Sequence, residues 1–307
     1  MKHFINIRDI PSKDLKKIIF DAKKRKSKRK KFGTLDSDRD FPLKGKLLIQ
    51  MFEKSSLRTR LSFYIAIKQL DGGALTLRPD ELHLNKGGES LLDTAKIIST
   101  FGNAFMLRTN SEEKLNMLKK HMTIPVINGL SPKSHPTQVL SDVFTIEEIK
   151  RKSISKLQIC WIGDSNNVLN SLIEASVKFS FKLNIGCPKK YNPKKSLLSW
   201  AKSNQGKIKI FNDPKKAISN ADIVLTDKVI SMNDRVNKQK KKKEFKKFKI
   251  TSELLKLAPK AYLLHCLPRG DEVSDEVFYG KKSKVWQQAL NRVYVQKSIL
   301  LYCFDRL

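Results

Sequence analysis

Negative charge is what this chain has least of: 30 acidic residues stand against 62 basic ones, a formal net charge of +32. Cysteine is sparse too. The four thiols, Cys160, Cys187, Cys266 and Cys303, form no Cys-x-x-Cys pair, which argues against a zinc site or a disulfide framework and for a reducing compartment. No apolar run approaches the length of a membrane span, and Met1 to Lys17 lacks the apolar centre of a signal peptide, so a cytoplasmic location is expected. There is no repeat of solenoid period, no Walker loop and no glycine-rich dinucleotide fingerprint after any strand.

At 307 residues, 40% of them hydrophobic, the chain can bury the cores of two ordinary domains. The positive excess has two readings: a surface for nucleic acid or acidic membrane, or a lysine-rich solvated face. Its two clusters, residues 23–31 and 238–249, adjoin no nucleic-acid module or aromatic stacking platform, so the solvated face is expected. Clefts in such a protein would still draw anions.

Strands and helices alternate along the text. Residues 12–31 read as a basic amphipathic helix and 47–52 as a strand. Phe63, Ala66, Ile67 and Leu70 then mark a helix face that Asp71-Gly72-Gly73 ends. Strands at 74–77, 105–108 and 125–128 follow, with a helix bearing Leu91, Ala95 and Ile98 among them. A helix with Val139, Val143 and Ile146 on one face bridges to a second half. There the pattern restarts, with strands at 157–162, 181–185, 208–211, 223–226 and 262–264, and a last helix carrying Trp286, Ala289, Leu290 and Val293. The expected class is α/β, with two mainly parallel sheets covered by helices.

Open α/β sheets build their sites where strands end. His265-Cys266-Leu267-Pro268 closes one strand and delivers an imidazole and a thiol to such a place. Ser55-Ser56-Leu57-Arg58-Thr59-Arg60 lies between a strand and a helix, so hydroxyls, guanidinium groups and free amides converge on an anion site. The plainer alternative is an N-cap with solvated arginines. Arg108 ends another strand. His135-Pro136-Thr137-Gln138 sets an imidazole before a helix, where it can stay neutral and donate to a carbonyl oxygen, or simply start the helix. Gly163-Asp164-Ser165-Asn166-Asn167 is either a turn or a grip for a carboxylate or amine. Asp227 and Ser231, four residues apart, suit an α-ammonium group, and Arg292 can join the anion site if its helix folds back.

In this order the motifs Phe-Glu-Lys-x-Ser-x-Arg-Thr-Arg, His-Pro-x-Gln, Gly-Asp-x-Asn-Asn, Asp-x-x-x-Ser-Met, His-Cys-Leu-Pro and Asn-Arg resemble the carbamoyltransferases, within them the ornithine carbamoyltransferases most closely, from about Leu47 to Leu301. The resemblance implies a carbamoyl-phosphate domain at 1–148, with the C-terminal helix 285–307 packed back on it, and an ornithine domain at 149–284. It implies transfer of the carbamoyl group to the δ-amine of ornithine, giving citrulline and phosphate for arginine biosynthesis. Homotrimers with shared sites are implied, and neither metal nor organic cofactor, since phosphate is already a good leaving group.

Carried over by position, carbamoyl phosphate would meet Ser56, Leu57 through its main chain, Arg58, Thr59, Arg108, His135, Gln138, Cys266, Leu267 and Arg292, with His83 from a neighbouring subunit. Ornithine would meet Asn167, Asp227, Ser231, Met232 and Cys266; Arg108, His135, Cys266 and Asp227 would be the catalytic groups. The chain departs from the family at Leu57, where threonine is usual, at Lys228-Val229, at Asn233, at Leu290 and in the extra glycine of Lys86-Gly87-Gly88-Glu89. Ser-Leu-Arg-Thr-Arg also resembles the N-acylornithine carbamoyltransferases, which keeps that acceptor as an alternative. A retired carbamoyltransferase scaffold binding nucleic acid through its basic surface is a second alternative, which the intact arginines and His135 disfavour.

Overall fold

The computed structural model describes residues 1–78, 90–230 and 237–307. They divide into two compact units, one of Met1–Phe144 with Leu290–Leu307 and one of Thr145–Ala289.

In the first unit α1 (Ser12–Lys28) precedes β1 (Leu47–Phe52), α2 (Leu57–Gln69), β2 (Gly73–Leu77), α3 (Leu91–Phe101), β3 (Ala104–Arg108), α4 (Glu112–His121) and β4 (Val126–Leu130); α5 (Pro136–Lys150) then leads into the second unit. The sheet order is β2-β1-β3-β4 and every pairing is parallel. Such strands are apolar on both faces because both are covered. On one face Ile49, Met51, Phe105, Leu107 and Val126 pack with Ala95, Ile98, Leu115 and Leu118 of α3 and α4. The chain enters this sheet in its middle, moves out to β2 and returns to β3. The carboxyl ends of β1 and β3 are therefore neighbours whose connections diverge, which opens a crevice.

The second unit repeats the plan with β5 (Gln158–Ile162), α6 (Asn167–Lys178), β6 (Lys182–Gly186), α7 (Lys195–Ser203), β7 (Lys207–Phe211), α8 (Pro214–Ile218), β8 (Ile223–Thr226), α9 (Lys238–Phe245), α10 (Ser252–Lys256), β9 (Tyr262–His265) and α11 (Asp275–Phe278). Its sheet runs β7-β6-β5-β8-β9, again wholly parallel. Cys160, Ile162, Val224 and Leu263 carry one face of the core, against Ala217, Ile218, Phe245, Phe248 and Phe278. The divergence here falls between β5 and β8. Gly163, at φ 146°, makes the turn after β5, and a Cβ there would lie 3.1 Å from the Thr226 hydroxyl of β8. The final helix, α12 (Val285–Cys303), begins in this unit, while its residues from Leu290 onward belong to the first.

Two expectations need correction. The first helix stops at Lys28 rather than 31, because Arg29 turns its guanidinium back onto the carbonyls of Gly33 and Asp36 and onto the Asp38 carboxylate. The basic clusters are also not wholly solvated: Arg29 and Lys241 are buried, each against an aspartate.

Candidate active site

In the first unit the sequence after β1 supplies an anion cradle. Ser56 is extended (φ −151°, ψ 102°) and does not cap α2 with its side chain; its hydroxyl accepts instead from Nη1 of Arg108 at 3.2 Å. No acidic residue lies in the first turn of α2, so the helix's positive end is not offset there by a carboxylate of its own. Thr59, one turn on, is buried and its Oγ1 accepts from Nη2 of Arg292 at 2.7 Å. Nη1 of the same guanidinium donates to Oε1 of Gln138 at 2.7 Å, and Nε2 of Gln138 donates to Asp142 at 2.8 Å. This relay fixes the flip of the Gln138 amide and clamps Arg292, itself 2% exposed, between α2 and α5.

His135 is buried at the start of α5. Burial lowers its pKa well below that of a free imidazole, and the charges of Arg292, Arg108 and Arg58 push in the same direction. The ring is thus neutral and can donate a hydrogen bond without adding charge. Arg108 is set from behind by Glu53, whose amide donates to the Arg108 carbonyl at 3.0 Å. The Glu53 carboxylate accepts from Thr109, Lys114 and the Asn110 amide. Burial raises the carboxyl's pKa, but these bonds outweigh it and hold it below the ordinary range. The Leu57 side chain is 69% exposed, so only its backbone can serve the cradle.

The second unit gathers a smaller set at its own divergence point. Asp227, His265 and Cys266 bring a carboxylate oxygen, a ring nitrogen and Sγ within 4.8 Å of one another. Asn166 touches Asp227: its Nδ2 donates to the carboxylate at 2.7 Å while its Oδ1 caps α6. Asn167 is the first residue of α6. His265 does not face a substrate. Its ring lies buried, Nε2 is 2.9 Å from Glu272, and Nδ1 accepts from the Leu267 amide at 2.8 Å, so the ring proton sits on Nε2. Both ring nitrogens are committed, and a metal held by this trio would have to displace one of these bonds. Burial raises the pKa of Glu272, but its bonds from His265 and the Gly270 amide prevail and keep it low. The same His265 bond holds Leu267 at φ 59°, a conformation costly for a branched residue, and so shapes the loop that presents Cys266.

Ser56, Arg58, Thr59, Arg108, His135, Gln138 and Arg292 therefore cluster in one unit, and Asp227 and Cys266 in the other. His83, Ser231 and Met232 lie outside the described residues. The supporting groups Glu53, Lys114, Asp142, Asn166 and Glu272 were not singled out from sequence. Asn166 carried a signal as one of a pair of asparagines after a strand, and Glu53 as the acid of the Phe-Glu-Lys motif.

Residues 2–148 match the family model "Aspartate/ornithine carbamoyltransferase, carbamoyl-P binding domain", and 155–303 match "Aspartate/ornithine carbamoyltransferase, Asp/Orn binding domain". The chain is similar to the ornithine carbamoyltransferase of Brucella suis, 40% identical over 99% of this chain and 96% of that protein. It is 41% identical to that of Rhodopseudomonas palustris, over 98% and 96%. Among solved structures it is similar to the ornithine carbamoyltransferase of Pyrococcus furiosus, with TM-score 0.90, 36% identity and coverage of 98% and 96%. The anabolic enzyme of Campylobacter jejuni gives TM-score 0.89 and 35% identity with full coverage of both chains.

Proposed function

Because the chain belongs to the aspartate/ornithine carbamoyltransferase family, we propose that it transfers the carbamoyl group of carbamoyl phosphate to the δ-amine of L-ornithine, giving L-citrulline and phosphate in the biosynthetic direction. The observation that carries the first half of this is the neutral, buried His135 with three arginines around it.

Arg58, Arg292, the hydroxyl of Ser56 and the amides at the start of α2 hold the phosphate. Arg108, His135 and Thr59 surround the carbonyl oxygen, where a neutral imidazole and fixed donors stabilise the oxyanion as the δ-amine attacks; one such donor is worth about 3 kcal/mol. The nitrogen–carbon bond forms, the bond between the carbonyl carbon and the bridging oxygen breaks, and phosphate leaves with the electron pair and takes up the proton that the amine nitrogen loses. Gln138 meets the carbamoyl group and also orients Arg292, whose Nη1 donates to its Oε1. Asp227, held by Asn166, takes the α-ammonium group together with Ser231 and Met232; Asn167 takes the α-carboxylate. Cys266 orients the δ-amine and, with Leu267, borders the carbamoyl group. Phosphate needs no metal or organic cofactor to leave.

The trimer is supported by Leu57, Leu61 and Tyr64, which expose apolar surface at helical spacing along α2. His83 of a neighbouring subunit would then complete the site. No helix among the described residues is long and apolar enough to cross a membrane, which fits a cytoplasmic enzyme. Nucleic acid has no part in this activity. The family reading of Ser-Leu-Arg-Thr-Arg keeps N-acylornithine as the competing acceptor. A colorimetric ureido assay run with ornithine and N-acetylornithine side by side decides: citrulline from ornithine alone is expected, product from N-acetylornithine alone reassigns the acceptor, and product from neither removes the activity.

A further inference from the structure

The first lysine-rich cluster lines an open pocket that combines buried Arg29 and Asp38 with exposed Lys24, Lys28, Lys30, Lys31 and Arg39. The carboxyl-terminal half of α1 and the chain running on to Asp40 border a half-open pocket of about 560 Å³, lined by seven cationic side chains, three carboxylates and Phe32. The carboxylates are already engaged. Asp38 pairs with Arg25, Arg29 and, from α12, Lys297; Asp40 and Asp21 pair with Arg25. Three acids are thus spent on Arg25, Arg29 and Lys297, which leaves the charge of Lys24, Lys28, Lys30, Lys31 and Arg39 uncompensated by the cavity's own acids. Lys24 and Lys28 are one helical turn apart, where like charges repel. Arg39 is held at the wall, its guanidinium 5.7 Å from the Phe32 ring centre, with Arg29 at 5.2 Å from the same ring.

A single monovalent anion would satisfy little of this charge, whereas a chain of linked phosphates would bridge several cations at once. The volume falls within the range of small-molecule sites. We propose that this cavity is a second anion site, separate from the carbamoyl-phosphate cradle, that binds a small polyphosphorylated ligand through its triphosphate chain. Binding relieves the repulsion among lysines that the fold has brought together.

Calorimetric titration of the full-length protein with sodium tripolyphosphate, ATP and inorganic phosphate tests this. Tripolyphosphate and ATP are expected to bind and inorganic phosphate to bind at least about tenfold more weakly. Equal affinity of the first two assigns recognition to the phosphate chain alone, and tighter ATP adds a contact to the nucleoside. The double variant Lys28→Glu/Lys31→Glu should lose about tenfold or more in tripolyphosphate affinity, while the charge-matched control Lys243→Glu/Lys246→Glu on the other cluster should change it less than about twofold. Equal losses in both variants would reduce the effect to net charge and overturn the site. Loss in Arg58→Ala without loss in Lys28→Glu/Lys31→Glu would place the ligand in the cradle instead. An RNA oligonucleotide that displaces tripolyphosphate from the same residues more tightly than ATP does would overturn the small-ligand assignment.

Discussion

The ammonium of Lys241 lies 2.6 Å from the Asp164 carboxylate, and the lysine, from the most basic stretch of the chain, is only 3% exposed. Asp164 belongs to the turn whose Asn166 holds Asp227, so the chain is tied to one turn both where it leaves β8 and where it enters α9. Lys241→Met would take from the mostly buried Asp164 carboxylate the ammonium that pairs with it. The expected cost is about 2–4 kcal/mol, near the low end because Asp164 keeps some contact with water. Urea midpoints should show it, Lys241→Arg should recover most of it, and KM for ornithine should rise severalfold while that for carbamoyl phosphate stays put. A Lys241→Met variant as stable as the parent would show that water replaces the pair at no cost.

Arg292 reaches Thr59 and Gln138 with two nitrogens of one planar group. A lysine at that position carries the charge but cannot span both oxygens. Arg292→Lys is expected to lower kcat about 100- to 1000-fold, the range for losing one well-placed donor to a developing oxyanion or leaving group, with an unchanged far-ultraviolet circular dichroism spectrum. Turnover within about threefold of the parent would take Arg292 out of the cradle.

How much of this was legible beforehand follows from where the information sits. β3 and β8 were plain because a strand buried on both faces reads as an uninterrupted apolar run, and α5 because Val139, Val143 and Ile146 keep one face. α9 was not: eight of the twelve residues from 238 to 249 are lysine, and only Lys241 and Phe245 are buried within α9. α4 was missed although Ser111 caps it through the Lys114 amide, since Leu115 and Leu118 alone make too short a pattern. In the site, residues that meet ligand stood out by charge at strand ends. Glu53, Asp142 and Glu272 act on other side chains, over long sequence separations for Glu53, and local text carries no mark of that.

Cys266 sits with Asp227 and His265, and His265 is bonded to Glu272 and the Leu267 amide rather than to the thiol. With both of its ring nitrogens taken, His265 is a poor base for that thiol, which argues against covalent catalysis through it. Cys266→Ser is therefore expected to keep measurable turnover, with the larger change in KM for ornithine, and rapid-quench mass spectrometry of the parent should find no carbamoyl-thiol adduct. Trapping that adduct would reassign the sulfur as a nucleophile.

The attacking δ-amine must be neutral, and a free alkyl amine titrates near pH 10, as lysine does, at about 10.4. With the acceptor below saturation, kcat/KM for ornithine should climb roughly tenfold per pH unit between about 7 and 9, since the fraction of neutral amine grows at that rate. A flat profile with chemistry rate-limiting would mean that the enzyme binds the ammonium form and removes its proton on the protein.

Neutral His135 leaves a mark on stability as well as on chemistry. In the unfolded chain its imidazole titrates near 6.5, whereas in the native state burial first, and then Arg292, Arg108 and Arg58, hold its pKa far lower. As pH falls below about 6.5 the unfolded chain takes up a proton that the native protein refuses, so this residue's contribution is intact above about 6.5 and lost as pH drops toward the native value. The slope approaches about 1.4 kcal/mol per pH unit for one proton. His135→Gln removes the group, so the difference between parent and variant in urea-derived stability should shift in the variant's favour from pH 7 to pH 5.5, whatever carboxylates contribute to both. A constant difference across that range would mean that the native ring accepts a proton after all, and a cationic imidazole among three arginines could not serve as the neutral donor to the carbamoyl oxygen.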